Sequence, residues 1–361
     1  MDIDLDIILH FYAKVPSIID RCIKKLTQSS YPHGSHFKDA LLRHDVEKVK
    51  ETAEKLKGYT INKLLTFNDP PWRFYLPALC IAIQWKNKEM VHCLLENGAD
   101  PNRQGKITYN GADCWFLTPL QLVLRHIPEE GWPFDPELAE MLLLAGAEIN
   151  KQVGITIEDE EEGGSMRFTT GNTYLHHCIC HQQSYVVFDF LLDHGADLLK
   201  TEQMGKTPLH MASEVHCYNP YFVDELIRRG GLTQEEDDEG NTVLINLLMV
   251  LRENVDGIVQ SLSVLHQAGY DLRKDKSLLR LDLRHFAAKN SIQALESGWL
   301  AEWLLDTQPK VLTLKQTCRL VVRKAIGKTC SYKKLSQLQL PSQLIDYLYL
   351  RDHSNSRLCY G

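Results

Sequence analysis

The feature that most constrains the fold is a short motif that recurs at a nearly constant interval. Its fullest copy begins at Lys206 and reads Lys-Thr-Pro-Leu-His-Met-Ala. The threonine of this copy, Thr207, lies 34 residues after Thr173 and 35 residues before Thr242, and each of these begins a partial copy. Periods of about 20 to 50 residues are typical of solenoids, in which each unit buries its apolar face only against its neighbours. The sequence therefore predicts a stack of repeats.

The residue types of the motif suit a helix pair. The proline fits the first helical turn, where its missing N–H costs nothing, and the histidine can hydrogen-bond the backbone of a neighbouring unit. A glycine that adopts a left-handed conformation can end the second helix of each unit. Such glycines follow the apolar helix patterns at Gly98, Gly146, Gly195, Gly230 and Gly269. The motif matches the Thr-Pro-Leu-His-x-Ala signature of the ankyrin repeat, and the chain resembles an ankyrin solenoid of about six to seven units.

Two connections between repeats are longer than the others. The length of a connection is the interval from the glycine that ends one repeat to the threonine that begins the next motif. It is 12 residues after Gly195 and Gly230, but 20 after Gly98 and 27 after Gly146. The enlarged loops lie near 103–117 and 151–172. Long loops on one edge of a solenoid are typical places for partners to bind.

These loops supply candidate substrate contacts. Trp115 and Phe116 are either aromatic anchors or residues that pack under the first loop. The acidic run of the second loop is either an acidic lip that attracts a basic substrate segment or a solvated loop. Its residues are Glu158, Asp159, Glu160, Glu161 and Glu162.

The pattern changes after Pro309, which ends the preceding helix. Thr313 can cap a new helix, on which an apolar stripe falls within about 100° of arc. The stripe consists of Leu314, Cys318, Val321, Val322 and Ala325, and a flank of Lys315, Arg319 and Arg323 adjoins it. Periodicity alone is equally typical of a final capping helix that buries this stripe on the last repeat.

The order of residues favours a second interpretation. Thr313-Leu314, three residues, Cys318, three residues and Val322 resembles the elongin-binding box. The segment that follows, from Leu335 to Leu348, is similar to the cullin box of SOCS-box proteins. With repeats before it, the chain resembles the ankyrin repeat and SOCS box family. The resemblance implies an all-α fold, an ankyrin-repeat solenoid followed by a small three-helix SOCS box.

The domain boundaries follow from these patterns. We predict an N-terminal helical cap at 1–36, ankyrin repeats at 37–308, a SOCS box at 309–350 and a C-terminal tail at 351–361. Within the SOCS box, the elongin box spans 313–322 and the cullin box spans 335–348.

The resemblance also implies partners and residue roles. Elongin B/C would contact Thr313, Leu314, Cys318, Val321 and Val322 in a helix-in-groove mode. A cullin would contact Leu338, Leu340, Pro341, Leu344 and Tyr347. The resemblance implies cullin-5 with its RING-box partner as the expected contact and cullin-2 as the weaker alternative. Gln339 is a departure from the family pattern, because it stands where the family has the first cullin-box proline.

Charge and composition exclude other classes of partner. The chain has a net charge of −7, but 310–361 holds ten Lys/Arg against two Asp/Glu, so the tail is basic and the body acidic. An acidic body argues against nucleic acid, and no apolar run approaches the roughly 20 residues that a membrane span needs. The ten cysteines are interpreted as reduced thiols, which predicts a cytoplasmic location with the nucleus as a second compartment.

No motif predicts catalysis, a metal or a cofactor. P-loop, Gly-x-Gly-x-x-Gly, His-Glu-x-x-His and nucleophile-elbow patterns are missing from the sequence. The run from His176 to His181, with Cys178 and Cys180, fits neither common zinc-finger spacing. The expected function is a non-catalytic substrate receptor of an E3 ubiquitin ligase, with substrate of unknown identity. The alternatives are an ankyrin scaffold without ubiquitin transfer and, less favoured, an ankyrin-containing enzyme.

Overall fold

The structure is a computed structural model of the 361-residue chain, which divides into two compact units, Met1–Tyr174 and Leu175–Gly361. The described residues are 36–56, 61–69, 72–109, 112–124, 134–152, 171–180, 184–214, 216–231, 234–250, 255–275, 277–278, 304, 314–326 and 332–351. The predicted N-terminal cap except His36, most of 279–308 and almost all of the C-terminal segment 351–361 lie outside these residues.

The first unit is built from consecutive helix pairs. The helices are α1 (His36–Leu42), α2 (Val46–Leu56), α3 (Ala78–Gln84), α4 (Lys88–Glu96), α5 (Pro119–Leu124) and α6 (Pro136–Leu144). Within each pair the two helices pack on each other, and first helices also pack on first helices, α1 on α3 and α3 on α5. This is the packing of a solenoid, in which each repeat contacts its neighbours.

The second unit is also built from consecutive helices that pack on one another. Its helices are α7 (Tyr174–Cys180), α8 (Tyr185–Asp193), α9 (Pro208–Ala212), α10 (Pro220–Arg228), α11 (Val243–Val250) and α12 (Val255–Gln267), and a 3₁₀ turn follows at Leu272–Lys274. α9 packs on α10, α11 on α12, and α10 on α12. The predicted all-α ankyrin solenoid is confirmed.

In the described part of the first unit, four short strands interrupt the helices. They are β1 (Leu65–Asp69), β2 (Trp72–Leu76), β3 (Gly105–Tyr109) and β4 (Ala112–Leu117), and they form one antiparallel sheet in that order. β1 and β2 are one hairpin, and β3 and β4 are the enlarged loop predicted near 103–117. Phe74 pairs with Ile107, which joins the two hairpins. The sequence patterns do not predict this pairing between successive loops.

Gly105 makes the close approach of the two hairpins possible. A Cβ atom at this position would lie 2.9 Å from Leu76 Cδ2 and 3.1 Å from the carbonyl oxygen of Tyr75. Since the Tyr75 oxygen belongs to the backbone, it cannot move aside without shifting β2. The glycine therefore allows a contact that a side chain would block.

The motif residues have the structural roles that the sequence analysis gave them. The Thr207 side chain accepts a hydrogen bond from the backbone N–H of His210, and the His210 ring accepts one from the backbone N–H of Thr207, which closes a capping box. The other ring nitrogen of His210 lies 3.0 Å from the carbonyl oxygen of Glu235 in the next repeat. In the preceding repeat, His176 Nε2 donates to the carbonyl oxygen of Lys206 over 3.1 Å. These histidines tie one repeat to the next.

The buried His176 predicts a pH dependence of stability. Burial lowers the pKa of His176 to about 4, whereas an unfolded histidine has a pKa of about 6.5. As the pH falls, the histidine is therefore protonated in the unfolded chain before it is protonated in the folded protein. The stability that neutral His176 contributes is complete above pH 6.5 and is lost as the pH falls towards 4. Between about pH 7.5 and pH 5 we expect the free energy of unfolding to fall by about 2 kcal/mol from this residue. Denaturant unfolding of the wild type and His176→Gln at both pH values measures it, and an equal pH dependence in the two proteins would contradict the assignment.

The described part of the predicted SOCS box, 314–326 and 332–350, is called the tail below and forms three helices, as predicted. They are α13 (Leu314–Ile326), α14 (Tyr332–Ser336) and α15 (Ser342–Leu348). Leu335, Ile345, Leu348 and Tyr349 form a small apolar core, against which the half-buried Ile326, Tyr332 and Leu340 pack. The tail thus has a core of its own.

Candidate partner-docking site

The predicted apolar stripe of α13 is exposed where the structure describes it. Cys318 is exposed, and 61% of the Val321 surface and 36% of the Val322 surface are open to solvent. Thr313 lies outside the described residues, and Leu314 begins the helix. The interpretation of α13 as a capping helix that buries its apolar stripe is therefore wrong for these positions.

The cationic flank of α13 adjoins this stripe, and its described residues, Arg319 and Arg323, are buried and half-buried. Only 5% of the Arg319 surface is exposed, and its guanidinium carbon lies 3.7 Å from the centroid of the Tyr347 ring. This distance is that of a close cation–π contact. Arg323 reaches further, to the backbone of another helix. The long cationic side chains, rather than the apolar stripe, hold the helix in place.

Arg323 joins the ends of two helices. Its guanidinium donates to the carbonyl oxygens of Ile227 and Arg228 at 3.2 and 2.6 Å, and to that of Leu348 at 2.7 Å. These carbonyls lie in the last turns of α10 and α15, where helix carbonyls lack intrahelical partners and the helix dipole favours a positive charge. One planar guanidinium therefore connects the tail to α10 of the repeats.

Tyr349 makes the second polar contact between the tail and α10. Its ring is 1% exposed, and its hydroxyl donates to Glu225 Oε2 over 2.6 Å. Burial, followed by the nearby Glu225 charge, raises the pKa of Tyr349, so the hydroxyl stays protonated and remains a donor. A buried polar group of this kind is stable only with a partner.

Glu225 belongs to a network of charges on α10 and α8. Arg229 Nε lies 3.5 Å from Glu225 Oε2, and Arg228 Nη1 lies 3.3 Å from Glu225 Oε1. Arg229 also pairs with Asp193, and the adjacent Asp224 accepts from Ser261 Oγ over 2.9 Å. The buried carboxylates are thus paired, as buried charges must be.

The predicted cullin-box residues divide into two groups. Leu338 and Leu344 are about half exposed, at 47% and 48%, and Pro341 is exposed as well. Leu340 packs against the core of the tail, and Tyr347 is buried under Arg319. The exposed group is available to a partner, whereas Leu340 and Tyr347 pack in the interior of the tail.

Gln339 has a backbone conformation that a proline cannot adopt. Its φ is +51°, whereas the proline ring holds φ near −65°. The family proline at this position would therefore require a different loop between α14 and α15. The departure noted in the sequence is a difference in backbone shape as well as in side chain.

This geometry gives a prediction for Gln339→Pro. We expect the substitution to destabilise the tail by about 3 kcal/mol or more, because the loop must rearrange. Gln339→Gly is the matched control, since glycine takes positive φ readily and should leave stability unchanged or slightly raised. Hydrogen exchange of α14 and α15 measures both. A Gln339→Pro tail with wild-type protection would show that the loop does not need the left-handed conformation.

The predicted substrate contacts are only partly within the described chain. Ile107 pairs with Trp115 and Lys106 with Phe116, which places both aromatic residues on the edge strand β4. The acidic run 158–162 lies outside the described residues. In the described part of the chain, no group of three or more His, Cys, Asp or Glu side chains could hold a metal ion. No helix there is long and apolar enough to cross a membrane.

Sequence reasoning missed Tyr349 and Glu225 as docking residues. A signal existed in α10, where Asp224 and Glu225 stand side by side and are both buried. Arg228 of the same helix pairs with both carboxylates, and two buried acids leave oxygens for further partners. The sequence does not say that one of those partners is a tyrosine 124 residues later.

Comparisons with known proteins match both parts of the chain. A SOCS box family model matches residues 310–349, and an ankyrin repeat model matches residues 76–106. A putative ankyrin repeat protein of Fowlpox virus (strain NVSL) is 30% identical over 199 residues, which are 55% of this chain and 50% of the viral protein. An ADP-ribosylation factor GTPase-activating protein of Arabidopsis thaliana is 41% identical over 71 residues, 19% of this chain and 8% of that protein. The chain thus spans half or less of the length of these curated relatives.

Among solved structures, a similar chain occurs in the complex of a predatory endopeptidase from Bdellovibrio bacteriovorus with an immunity protein. It is 19% identical, with a TM-score of 0.39, over 64% of this chain and 98% of that chain. The two family models carry the assignment. With ankyrin repeats followed by a SOCS box, the chain matches a protein of the ankyrin repeat and SOCS box family.

Proposed function

We propose that this chain is the substrate-binding subunit of an E3 ubiquitin ligase assembled from elongin B/C, cullin-5 and a RING-box protein. At the level of the family, ankyrin repeats with a SOCS box support a substrate-receptor role in cullin–RING ligases, and SOCS-box proteins are generally non-catalytic adaptors. The repeats would hold the target protein and the tail would hold the ligase. Ubiquitin transfer would follow from the high effective concentration of target lysines near the ubiquitin carrier.

The exposed face of α13 is the observation that carries this proposal. Cys318, Val321 and Val322 are open to solvent on a helix that Arg319 and Arg323 hold in place. Apolar side chains at this spacing, presented on a rigid helix, suit insertion into an apolar groove. A preformed helix also lowers the ordering cost of binding.

The cullin contact is proposed for the exposed group Leu338, Pro341 and Leu344, which surrounds the start of α15. Leu340 and Tyr347 would support this surface from inside the tail. We propose cullin-5 as the partner, with cullin-2 as the competitor, and the left-handed Gln339 is the residue through which this chain departs from its family. Trp115, Phe116 and the 158–162 acidic run stay proposals for the substrate surface.

Reconstitution from purified components tests the proposal. The full chain is mixed with elongin B/C and then with either cullin-5 or cullin-2, each bound to its RING-box partner, and complexes are measured by gel filtration. We expect a stable complex with elongin B/C that recruits cullin-5 more tightly than cullin-2. Failure to bind elongin B/C would instead favour a scaffold role without ubiquitin transfer.

A further inference from the structure

Two cysteines from neighbouring repeats meet away from the docking site. Cys180 is the last residue of α7, and Cys217 lies in the turn between α9 and α10. Their sulfur atoms are 3.9 Å apart. The thioether sulfur of Met211 lies 3.1 Å from Cys180 Sγ and lines the same space. Neither thiol has a role in the docking of α13 or of the tail.

We propose that Cys180 and Cys217 are a peroxide-sensitive thiol pair that forms a reversible disulfide between adjacent repeats. The sulfur atoms of a disulfide are about 2.05 Å apart, so they must approach by about 2 Å. A rotation of one side chain, helped by the turn that carries Cys217, covers such a distance. The cysteines are already neighbours in space although 37 residues separate them in the chain.

The geometry selects this pair over the adjacent Cys178. On a helix, residues two positions apart point in different directions, so Cys178 does not face Cys217. Cys178 has no exposed surface, and burial raises the pKa of its thiol, which keeps it inert. Cys180 is half-buried and 8% of the Cys217 surface is exposed, so a small oxidant can reach the pair.

The local electrostatics indicate which sulfur reacts first. The hydrogen bond between the two thiols lowers the pKa of the Cys217 thiol and raises that of Cys180. The Lys206 ammonium also favours the Cys217 thiolate, while burial and Glu214 oppose it. Since the thiolate is the nucleophile, Cys217 is the attacking sulfur and Cys180 the resolving one.

The chemistry balances with hydrogen peroxide as the oxidant. The Cys217 thiolate attacks one peroxide oxygen, an S–O bond forms, the O–O bond breaks, and hydroxide leaves as Cys217 becomes a sulfenic acid. Cys180 then attacks the Cys217 sulfur, an S–S bond forms, the S–O bond breaks, and hydroxide leaves. The two hydroxides take up the two thiol protons. Two thiols and one peroxide give one disulfide and two waters, and a dithiol reductant reverses the reaction.

Peptide mapping of the full chain tests this site. The protein is treated with hydrogen peroxide, free thiols are alkylated, and the chain is cut with trypsin, which cleaves between the two cysteines at Lys200 and Lys206. We expect a cross-linked product of peptides 168–200 and 207–228 that disappears on reduction. Cys217→Ser and Cys180→Ser should each abolish it. Because peptide 168–200 also contains Cys178, the matched control is Cys178→Ala, which should retain the cross-link.

A probe of the intermediate checks the order of reaction. In Cys180→Ser, dimedone should label Cys217 after peroxide treatment, because the sulfenic acid then lacks its resolving thiol. Separate alkylation of Cys180 and Cys217 after oxidation would overturn the proposal, and so would a bridge that involves Cys178. Unfolding gives a second readout, since a disulfide restrains the unfolded chain. The midpoint of thermal unfolding should rise on oxidation in the wild type and stay constant in Cys217→Ser.

Discussion

Replacing Val321 with aspartate should weaken elongin B/C binding by about 100-fold or more, because a charge without a partner would be buried in an apolar groove. The substitution should leave the chain folded, since 61% of the Val321 surface is exposed in the free protein. Titration of elongin B/C by calorimetry measures the loss. The thermal unfolding of the free variant shows that the loss is not an effect on folding.

Matched variants separate shape from charge at this surface. Val321→Thr keeps the branched shape and should stay within about tenfold of the wild type. Cys318→Phe should weaken elongin B/C binding, and Cys318→Ala should not. The reason is that the resemblance to SOCS-box proteins implies a binding site at this position that accepts only a small side chain. Leu338→Asp should retain elongin B/C and lose the cullin. If Val321→Asp binds elongin B/C as tightly as the wild type does, α13 is not the docking helix.

Replacing Tyr349 with alanine should loosen the tail from the repeats by about 4 kcal/mol, the usual cost of deleting a buried aromatic ring. Tyr349 contributes both to the apolar core of the tail and to the hydrogen bond with Glu225. We expect faster hydrogen exchange in α13, α14 and α15 of the variant. The helices α8 and α9 should keep their protection, because they belong to the repeats and not to the apolar core of the tail.

Tyr349→Phe is the control that isolates the hydroxyl. It keeps the ring and removes one donor from the buried Glu225, whose charge still pairs with Arg228 and Arg229. The expected cost is therefore only about 1 kcal/mol. Equal losses in the alanine and phenylalanine variants would show that the hydrogen bond, and not the ring, holds the tail. Unchanged exchange in both would contradict the docking of the tail on α10.

The repeats were predictable because their signals are local. The Thr207 to His210 capping box lies within four residues, and the glycines with positive φ, such as Gly195 at +88°, end helices that the apolar pattern already defines. The tie from His210 to Glu235 follows from the repeat period, which places equivalent backbone atoms next to each other. The motif and its period are therefore sufficient to predict the repeat architecture.

The sheet was not predictable by the same reasoning. It requires that the hairpin of β1 and β2 meet the hairpin of β3 and β4, with Phe74 opposite Ile107. Such pairing depends on the register of two separate loops, and nothing in the composition of either loop specifies its partner. Strand propensity is a weak guide because it depends on packing against neighbours.

The docking surface was predictable in part. The periodicity of α13 identified one apolar stripe and one cationic flank, but it did not say which of them faces the protein. The structure resolves this through Arg319 and Arg323, whose long side chains can cover apolar surface and still reach carbonyl oxygens. The contact of Tyr349 with Glu225 spans 124 residues and has no local signature.

The sheet that joins the two hairpins limits how the first unit can vary during evolution. In an ordinary ankyrin array, each loop can gain or lose residues independently of the next. Here β2 and β3 are hydrogen-bonded to each other. Because side chains alternate between the two faces of a strand, inserting one residue inside β3 would exchange its faces, whereas inserting two would preserve them. Viable length changes within β2 and β3 should therefore come in even numbers, or be absorbed by a bulge such as the one where β4 pairs with β3.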